Sequence, residues 1–139
     1  MSQSTTTRAQ QIAKAARAFE EQRTGQKPDA VNVVLSEDTL VITLHGSLSP
    51  AEKALAKSPE GAALVREYHR ELFHNSSGSL RQEIKRITGV EVREASVEVE
   101  TTGGAVVQSL GTGAVVQVFL LARSVPAEAW SERGTDDSP

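Results

Sequence analysis

The start of a helix is specified by residues 45–55, where an alternating apolar segment ends. Ser49 can cap this helix with its hydroxyl, and Pro50 occupies the first helical position, where a missing N–H costs nothing. Glu52 follows three residues after Ser49 and completes the pattern of a capping box. A strand here leads directly into a helix, and together with the rest of the sequence this junction predicts a soluble α+β domain.

Two alternating segments precede the junction, over residues 30–35 and 39–45. Each places its apolar side chains on one face, as half-buried strands do. The short polar connection between them, residues 36–38, predicts a hairpin. A helix is predicted before the hairpin, over residues 8–23, and we expect Gly25 to end it in the left-handed conformation.

The middle of the chain is predicted to be helical from residue 59 to residue 88, after a second cap-and-proline signal at Ser58. One helical phase runs through this segment and places Val65, Tyr68 and Leu72 on its apolar stripe. Residues 75–79, NSSGS, interrupt the stripe. The preserved phase favours one helix, kinked at Gly78, and a new helix that starts at Ser79 is the alternative.

The length of that segment bears on the assembly. A single helix over residues 59–88 would be about 45 Å long. A domain of this size has a radius of gyration of only about 14 Å, so such a helix would overhang its own fold. We therefore expect a homodimer.

The C-terminal half is predicted to add strands after Gly89, which ends the helix as Gly25 ends the first. The apolar alternation slips near residues 93–94, which predicts a β-bulge. Residues 114–122 are apolar on both faces, as in a central strand. Residues 101–113 form either an extra strand or a glycine-rich loop.

These elements predict one mostly antiparallel sheet of four or five strands, covered by helices on one face, in the order helix, hairpin, helix, hairpin. We expect a single domain over residues 8–125, between disordered termini over residues 1–7 and 126–139.

The composition excludes several classes of function. A net charge of −3 argues against a surface that neutralises a nucleic-acid backbone. The chain has no cysteine, so it cannot form a disulfide framework or supply a thiolate. No window holds the roughly 18 apolar residues of a membrane span. We therefore expect a cytoplasmic protein, and any link to a membrane would go through a partner.

The histidines His45, His69 and His74 are the one conceivable metal set, and their spacing is poor for it. His69 and His74 are five residues apart, unlike the pair of a zinc helix. We interpret these histidines as exposed polar residues, with His45 half-buried at a strand end. His45 with Ser47 lacks the glycine-flanked elbow of a nucleophile, so we expect no catalytic residue, no cofactor and no enzymatic activity.

Basic residues Arg66 and Arg70 follow helical spacing and are candidates for a contact with an anionic partner, although a solvated face with ion pairs is the default interpretation. The alternative function is a small-ligand or enzymatic domain with a pocket between the sheet and the long helix. That pocket would use His45, Tyr68 or His69.

Several segments of the chain resemble the MpsC-like family of small bacterial domains. The most specific is residues 46–57, GSLSPAEKALAK, and Thr24-Gly25 before the hairpin, Glu60-Gly61 and residues 87–92, ITGVEV, support it. The similarity covers residues 24–122. The family is named after a component of a sodium-translocating, membrane-potential-generating system.

The resemblance implies an accessory subunit that stands beside membrane-transport proteins, with no established catalytic residues to carry over. The chain departs from the family pattern in two places. Residues 75–78, NSSG, replace an acidic and arginine-rich mid-helix, and residues 97–100, VEVE, replace a strand that contains aspartate.

Overall fold

The first helix begins at a capping box and ends at a glycine. A computed structural model of the chain describes residues 7–100, 113–126 and 130. Thr7 accepts a hydrogen bond from the backbone of Gln10, whose side chain accepts one from Thr7 in return. Gly25 ends the helix with a φ of 79°, a left-handed conformation that glycine adopts without strain. The cap at Gly25 is therefore confirmed.

The chain then alternates strands and helices along its length. In order, the elements are α1 (Arg8–Thr24), β1 (Ala30–Ser36), β2 (Thr39–His45), α2 (Pro50–Leu55), α3 (Pro59–Ser76), α4 (Gly78–Thr88), β3 (Val92–Glu100) and β4 (Ala114–Leu121). The α+β class and the first hairpin are confirmed. Gly89 ends α4 in the left-handed conformation, also as predicted.

The four strands form one open antiparallel sheet in the order β1-β2-β4-β3. Strand β4 lies between β2 and β3, which confirms the central strand, and β1 and β3 are the edges. The register of β3 shifts between Val92 and Glu94, so the bulge is confirmed. A fifth strand was one alternative for residues 101–113, of which 101–112 lie outside the described residues.

The helices pack on one face of this sheet. Helix α1 contacts β1 and β2, α3 contacts β3, and α4 contacts both α1 and β3. Alternate residues of the two inner strands are buried beneath them, among them Leu40, Ile42, Val115 and Phe119. The aromatic rings of Phe73 and Phe119 join α3 to β4, with 5.9 Å between their centroids.

The long helical segment is interrupted at Ser77. Helix α3 ends at Ser76 and α4 starts at Gly78, and the Ser77 carbonyl accepts a hydrogen bond from the backbone of Arg81. Of the two predicted alternatives, the structure has the break. An unbroken helix that overhangs the fold is thereby removed as a reason to expect a dimer.

The apolar stripe of α3 differs from the predicted one. Val65 is buried as expected, but the next buried positions are His69 and Phe73, while Tyr68 is 51% exposed. The buried positions are shifted by one residue from the predicted ones, from 68 and 72 to 69 and 73, because Phe73 of α3 packs against Phe119 on the sheet. The interpretation of His69 as an exposed polar residue is therefore wrong: its side chain is 1% exposed.

The terminal segments expected to be disordered lie mostly outside the described residues. Three residues within them are described: Thr7, Pro126 and Trp130. Thr7 caps α1, and Trp130 packs against the core while its backbone N–H donates to the Pro126 carbonyl.

Candidate functional site

A groove of about 430 Å³ runs across the helical side of the domain, where α2 and α3 meet the end of α1. Its apolar lining comes from Leu55 of α2 and from Leu64, Val65 and Tyr68 of α3. The polar lining consists of Thr24, Gln26, Ser49 and Glu52. We refer to this surface as the α2–α3 groove.

The capping box of α2 builds one wall of the groove. The Ser49 hydroxyl accepts from the backbone N–H of Glu52 at 3.2 Å, and Glu52 Oε1 accepts from the backbone N–H of Ser49 at 2.9 Å. The predicted caps Ser49, Pro50 and Glu52 are thus present. Ser58 caps α3 in the same way, by accepting from the Gly61 N–H at 3.0 Å.

The second carboxylate oxygen of Glu52 reaches α3. His69 Nε2 lies 2.8 Å from Glu52 Oε2, and because a carboxylate only accepts, Nε2 carries the proton and donates. Partial burial disfavours the ionised form of Glu52, but the hydrogen bonds from His69 and Ser49 outweigh it and hold the pKa of Glu52 below its usual value. Glu52 is therefore a fixed anion in the groove wall near neutral pH.

The α2–α3 groove forms where α2 and α3 approach each other closely at Gly61. A Cβ atom on Gly61 would lie 1.7 Å from the carbonyl oxygen of Leu55. Only a residue without a side chain fits there, so the chain can turn from α2 into α3 within a few residues. The exposed side chains of Leu55 and Leu64 thereby line one groove.

Behind the groove wall, buried polar groups lie in the layer between helices and sheet. His69 Nδ1 and both amide atoms of Gln117 have no hydrogen-bond partner in the described part of the chain. Glu20 and Arg23 of α1 form an ion pair in the same layer, and the Arg23 guanidinium lies 4.6 Å from the centroid of the Phe19 ring. None of these four residues lines the groove.

The five residues predicted for ligand or partner binding do not form one site. Tyr68 lines the groove, and His69 lies beneath it with its ring 5.3 Å from that of Tyr68. Arg66 and Arg70 are each two residues from Tyr68, about 200° around α3, so they lie on its opposite flank. Arg70 pairs with Glu67 at 3.1 Å on the surface.

His45 is the fifth predicted residue and lies on the other side of the sheet. Its Nε2 is 3.1 Å from Nδ2 of Asn32, an exposed residue of β1. Leu44, next to it, is buried beneath the helices. The structure therefore does not bring His45 together with Tyr68 and His69, as a pocket between the sheet and the helix would require.

A larger groove of about 670 Å³ lies between α1 and α4. Its floor is formed by Ala15, Ala18 and Leu80, and the exposed Glu83–Arg86 pair stands at its rim. The α2–α3 groove is the stronger candidate because exposed leucines and a partly buried, hydrogen-bonded carboxylate converge there. The sequence indicates this groove only through the helical position of Leu64, and the groove was not predicted.

Two further observations limit the chemistry of the described residues. They contain no group of three or more histidine, aspartate or glutamate side chains arranged to hold a metal ion. None of the described helices combines the length and the apolar character needed to cross a bilayer.

The fold and the groove define a class of protein: a small α+β domain with an open antiparallel sheet, helices on one face and a recessed apolar surface between two helices. The chain belongs to the family described as "Na+-translocating membrane potential-generating system (MpsC)", whose model matches residues 4–121. The resemblance drawn from residues 46–57 is thereby confirmed.

Two curated proteins of Bacillus subtilis (strain 168) are similar to the chain, and both are described as uncharacterised. YbcI is 26% identical over 94 residues, which cover 68% of this chain and 76% of YbcI. YrhF is 35% identical over 60 residues, 43% of each protein. No solved structure matches the chain.

Proposed function

We propose that this chain is a non-catalytic accessory or regulatory subunit of a membrane-potential-generating, sodium-translocating system. In this proposal it resides in the cytoplasm and reaches the membrane by binding a transport protein through the α2–α3 groove. The family name supports the association with such a system. A homodimer belongs to the proposal as well, although the unbroken helix that first suggested it is absent.

The observation that carries the proposal is the clustering of exposed apolar side chains. Four large apolar side chains are exposed among the described residues, and three of them line the groove: Leu55 at 48%, Leu64 at 61% and Tyr68 at 51%. Apolar surface that gathers in one recessed place is typical of a protein interaction site, whereas single exposed leucines are not.

The groove favours a partner with an apolar anchor. Leu55, Leu64 and Tyr68 can surround one inserted side chain, and the Tyr68 hydroxyl and the Gln26 amide offer hydrogen bonds beside it. The Glu52 carboxylate is already bonded to Ser49 and His69, so its part is to fix the groove wall. We infer that an exposed cytoplasmic segment of a membrane protein supplies the anchor.

The test is capture of the tagged chain from detergent-solubilised membranes of its own host, with mass spectrometry of the proteins recovered. Leu64→Asp combined with Tyr68→Ala removes the apolar groove and should reduce recovery of a polytopic membrane partner by tenfold or more. Both side chains are more than half exposed, so the fold should tolerate the change.

The matched control is charge reversal on the opposite flank of the same helix, Arg66→Glu with Arg70→Glu. It should leave recovery unchanged if the groove is the contact. Loss of the partner from the arginine variant alone would assign the contact to that flank and overturn the groove. Recovery of no membrane protein by the unmodified chain would overturn the accessory role.

A further inference from the structure

The outer face of the sheet, which faces away from the helices, is apolar along its centre. Its central side chains are half-buried or exposed, and no described helix covers them; they are Val34, Val41, Val116, Val118 and Leu120. Val34 of β1 is 58% exposed. An antiparallel sheet that faces water normally carries polar residues on its outer side, so this face needs an explanation.

The strand register orders the outer face into rows that cross all four strands. The central row contains Val34, Val41, Val118 and Ser96, because Val34 pairs with Val41, Val41 with Val118, and Val118 with Ser96. The same pairings place Asn32 and Glu98 at the two ends of one flanking row. Ser36 and Glu94 stand at the ends of the other flanking row.

The charges on this face are confined to one edge. Glu94 and Glu98 of β3 are exposed and have no ion pair or hydrogen bond with another described residue. At the opposite edge, β1 carries the neutral side chains of Asn32 and Ser36. Asn32 Nδ2 lies 3.1 Å from His45 Nε2 and has a second N–H to donate. The face therefore has an apolar centre, an acidic edge and a donor edge.

We propose that this face binds a second copy of the same chain, with the two sheets face to face and the two-fold axis parallel to the strands. That axis lays β1 of one copy over β3 of the other. Asn32 and Ser36 then lie opposite the partner's Glu98 and the partner's Glu94, and Val41 lies opposite the partner's Val118. An axis across the strands would instead set Glu98 against the partner's Glu94, two like charges.

The size of the face sets the strength of the dimer. Four strands about 4.8 Å apart and seven residues long at about 3.3 Å each cover about 440 Å² in projection. Two copies bury about 900 Å², below the roughly 1,200–2,000 Å² of a standard interface. We therefore expect a reversible dimer whose population rises with concentration. This inference deepens the proposed homodimer and rests on it, but it does not depend on the α2–α3 groove.

The experiment introduces a negative or a positive charge at one apolar position of the outer face and measures the dimer by sedimentation equilibrium. Val34 lies opposite the partner's Ser96, between two glutamates, and its exposure makes substitution safe for folding. Val34→Glu should raise the dissociation constant about tenfold, whereas Val34→Lys should lower it or leave it unchanged. A folding defect would not depend on the sign of the charge.

Cysteine crosslinking tests the axis, because the chain has no cysteine of its own. A mixture of Val34→Cys and Ser96→Cys chains should crosslink with a short bis-maleimide, and each variant alone should crosslink poorly. Efficient crosslinking of Val34→Cys alone would overturn the proposed axis.

The possible failures can be told apart. A dimer that is indifferent to both Val34 variants would overturn the outer face as the interface and leave the homodimer standing. A monomer at every concentration would overturn both. The accessory role is judged separately, by the membrane capture with the groove variant.

Discussion

His69 Nε2 lies 2.8 Å from Glu52 Oε2 and ties the middle of α3 to the first turn of α2. The carboxylate also accepts a hydrogen bond from the backbone N–H of Ser49. The side chain of Glu52 therefore completes the N-terminal cap of α2 and binds α3 through His69. The position of the α2–α3 groove depends on this contact. Glu52 is therefore the side chain whose removal should most disturb the groove wall.

Glu52→Gln should lower the free energy of unfolding by about 1 kcal/mol near neutral pH, because the cap weakens and the charge-assisted bond to His69 is lost. Urea unfolding followed by circular dichroism measures the change. Glu60→Gln is the matched control, since Glu60 is an exposed residue in the first turn of α3. Equal losses in the two variants would contradict the special role of Glu52.

The stability that Glu52 supplies should depend on pH. Its pKa is lower in the folded chain than the ordinary value of 4.5, so the folded state binds fewer protons than the unfolded state in the acid range. The contribution is complete above that value and is lost as the pH falls through the folded pKa. The difference in unfolding free energy between the wild type and Glu52→Gln should therefore shrink as the pH falls from neutrality to values below 4.5. A difference that stays constant over this range would exclude the assignment.

Coupling between Glu52 and His69 can be measured directly by a double-mutant cycle. His69→Leu places an apolar side chain in the buried position and removes the N–H that donates a hydrogen bond to the Glu52 carboxylate. We expect a coupling free energy of about 1 kcal/mol between His69→Leu and Glu52→Gln. If the losses of unfolding free energy in the two single variants simply add up in the double variant, the contact between the two side chains does not stabilise the fold.

The sequence predicted the local features of this wall and missed its long-range ones. The caps at Ser49 and Ser58 depend on residues three positions apart, and the β3 bulge near residues 93–94 depends on a slip of apolar alternation, so a short window contains each signal. The burial of His69 depends on which side of α3 meets the sheet. Because Phe73 packs on Phe119, far away in sequence, no window along α3 contains that information.

The same limit applies to the grooves and to the polar interior. The α2–α3 groove requires the close approach at Gly61, which follows from the packing of α2 on α3. Glu20 lies next to Phe19 in a helix whose other side chains predicted an ordinary amphipathic stripe, and its burial was not predicted. Gln117 is likewise a polar residue within an apolar strand. Charged and polar residues at such positions contradict the simple rule that polar residues face water.

The two glycines at the starts of α3 and α4 should respond to alanine with opposite signs. Gly61→Ala places a methyl group against the Leu55 carbonyl and should cost about 2–3 kcal/mol of unfolding free energy. Gly78→Ala meets nothing within 4 Å and should stabilise by about 0.5 kcal/mol, through a less flexible unfolded chain. Thermal unfolding of both variants measures the pair. A tolerated Gly61→Ala would mean that α2 and α3 are not held at this spacing.

The buried ion pair between Glu20 and Arg23 leads to a prediction about removing one charge or both. Glu20 is 0% exposed, and its Oε2 has no hydrogen-bond partner among the described residues. Arg23→Met leaves that carboxylate buried without its cation, which should cost about 3–5 kcal/mol of unfolding free energy. Adding Glu20→Leu removes the unpaired buried charge. The double variant should therefore recover most of that loss, since an apolar pair in place of a buried ion pair is often neutral or stabilising.

Urea unfolding of the two single variants and the double variant measures these changes in unfolding free energy. If the double variant is no more stable than Arg23→Met, the guanidinium stabilises the fold mainly through its contact with the Phe19 ring, and the charge of Glu20 has little effect.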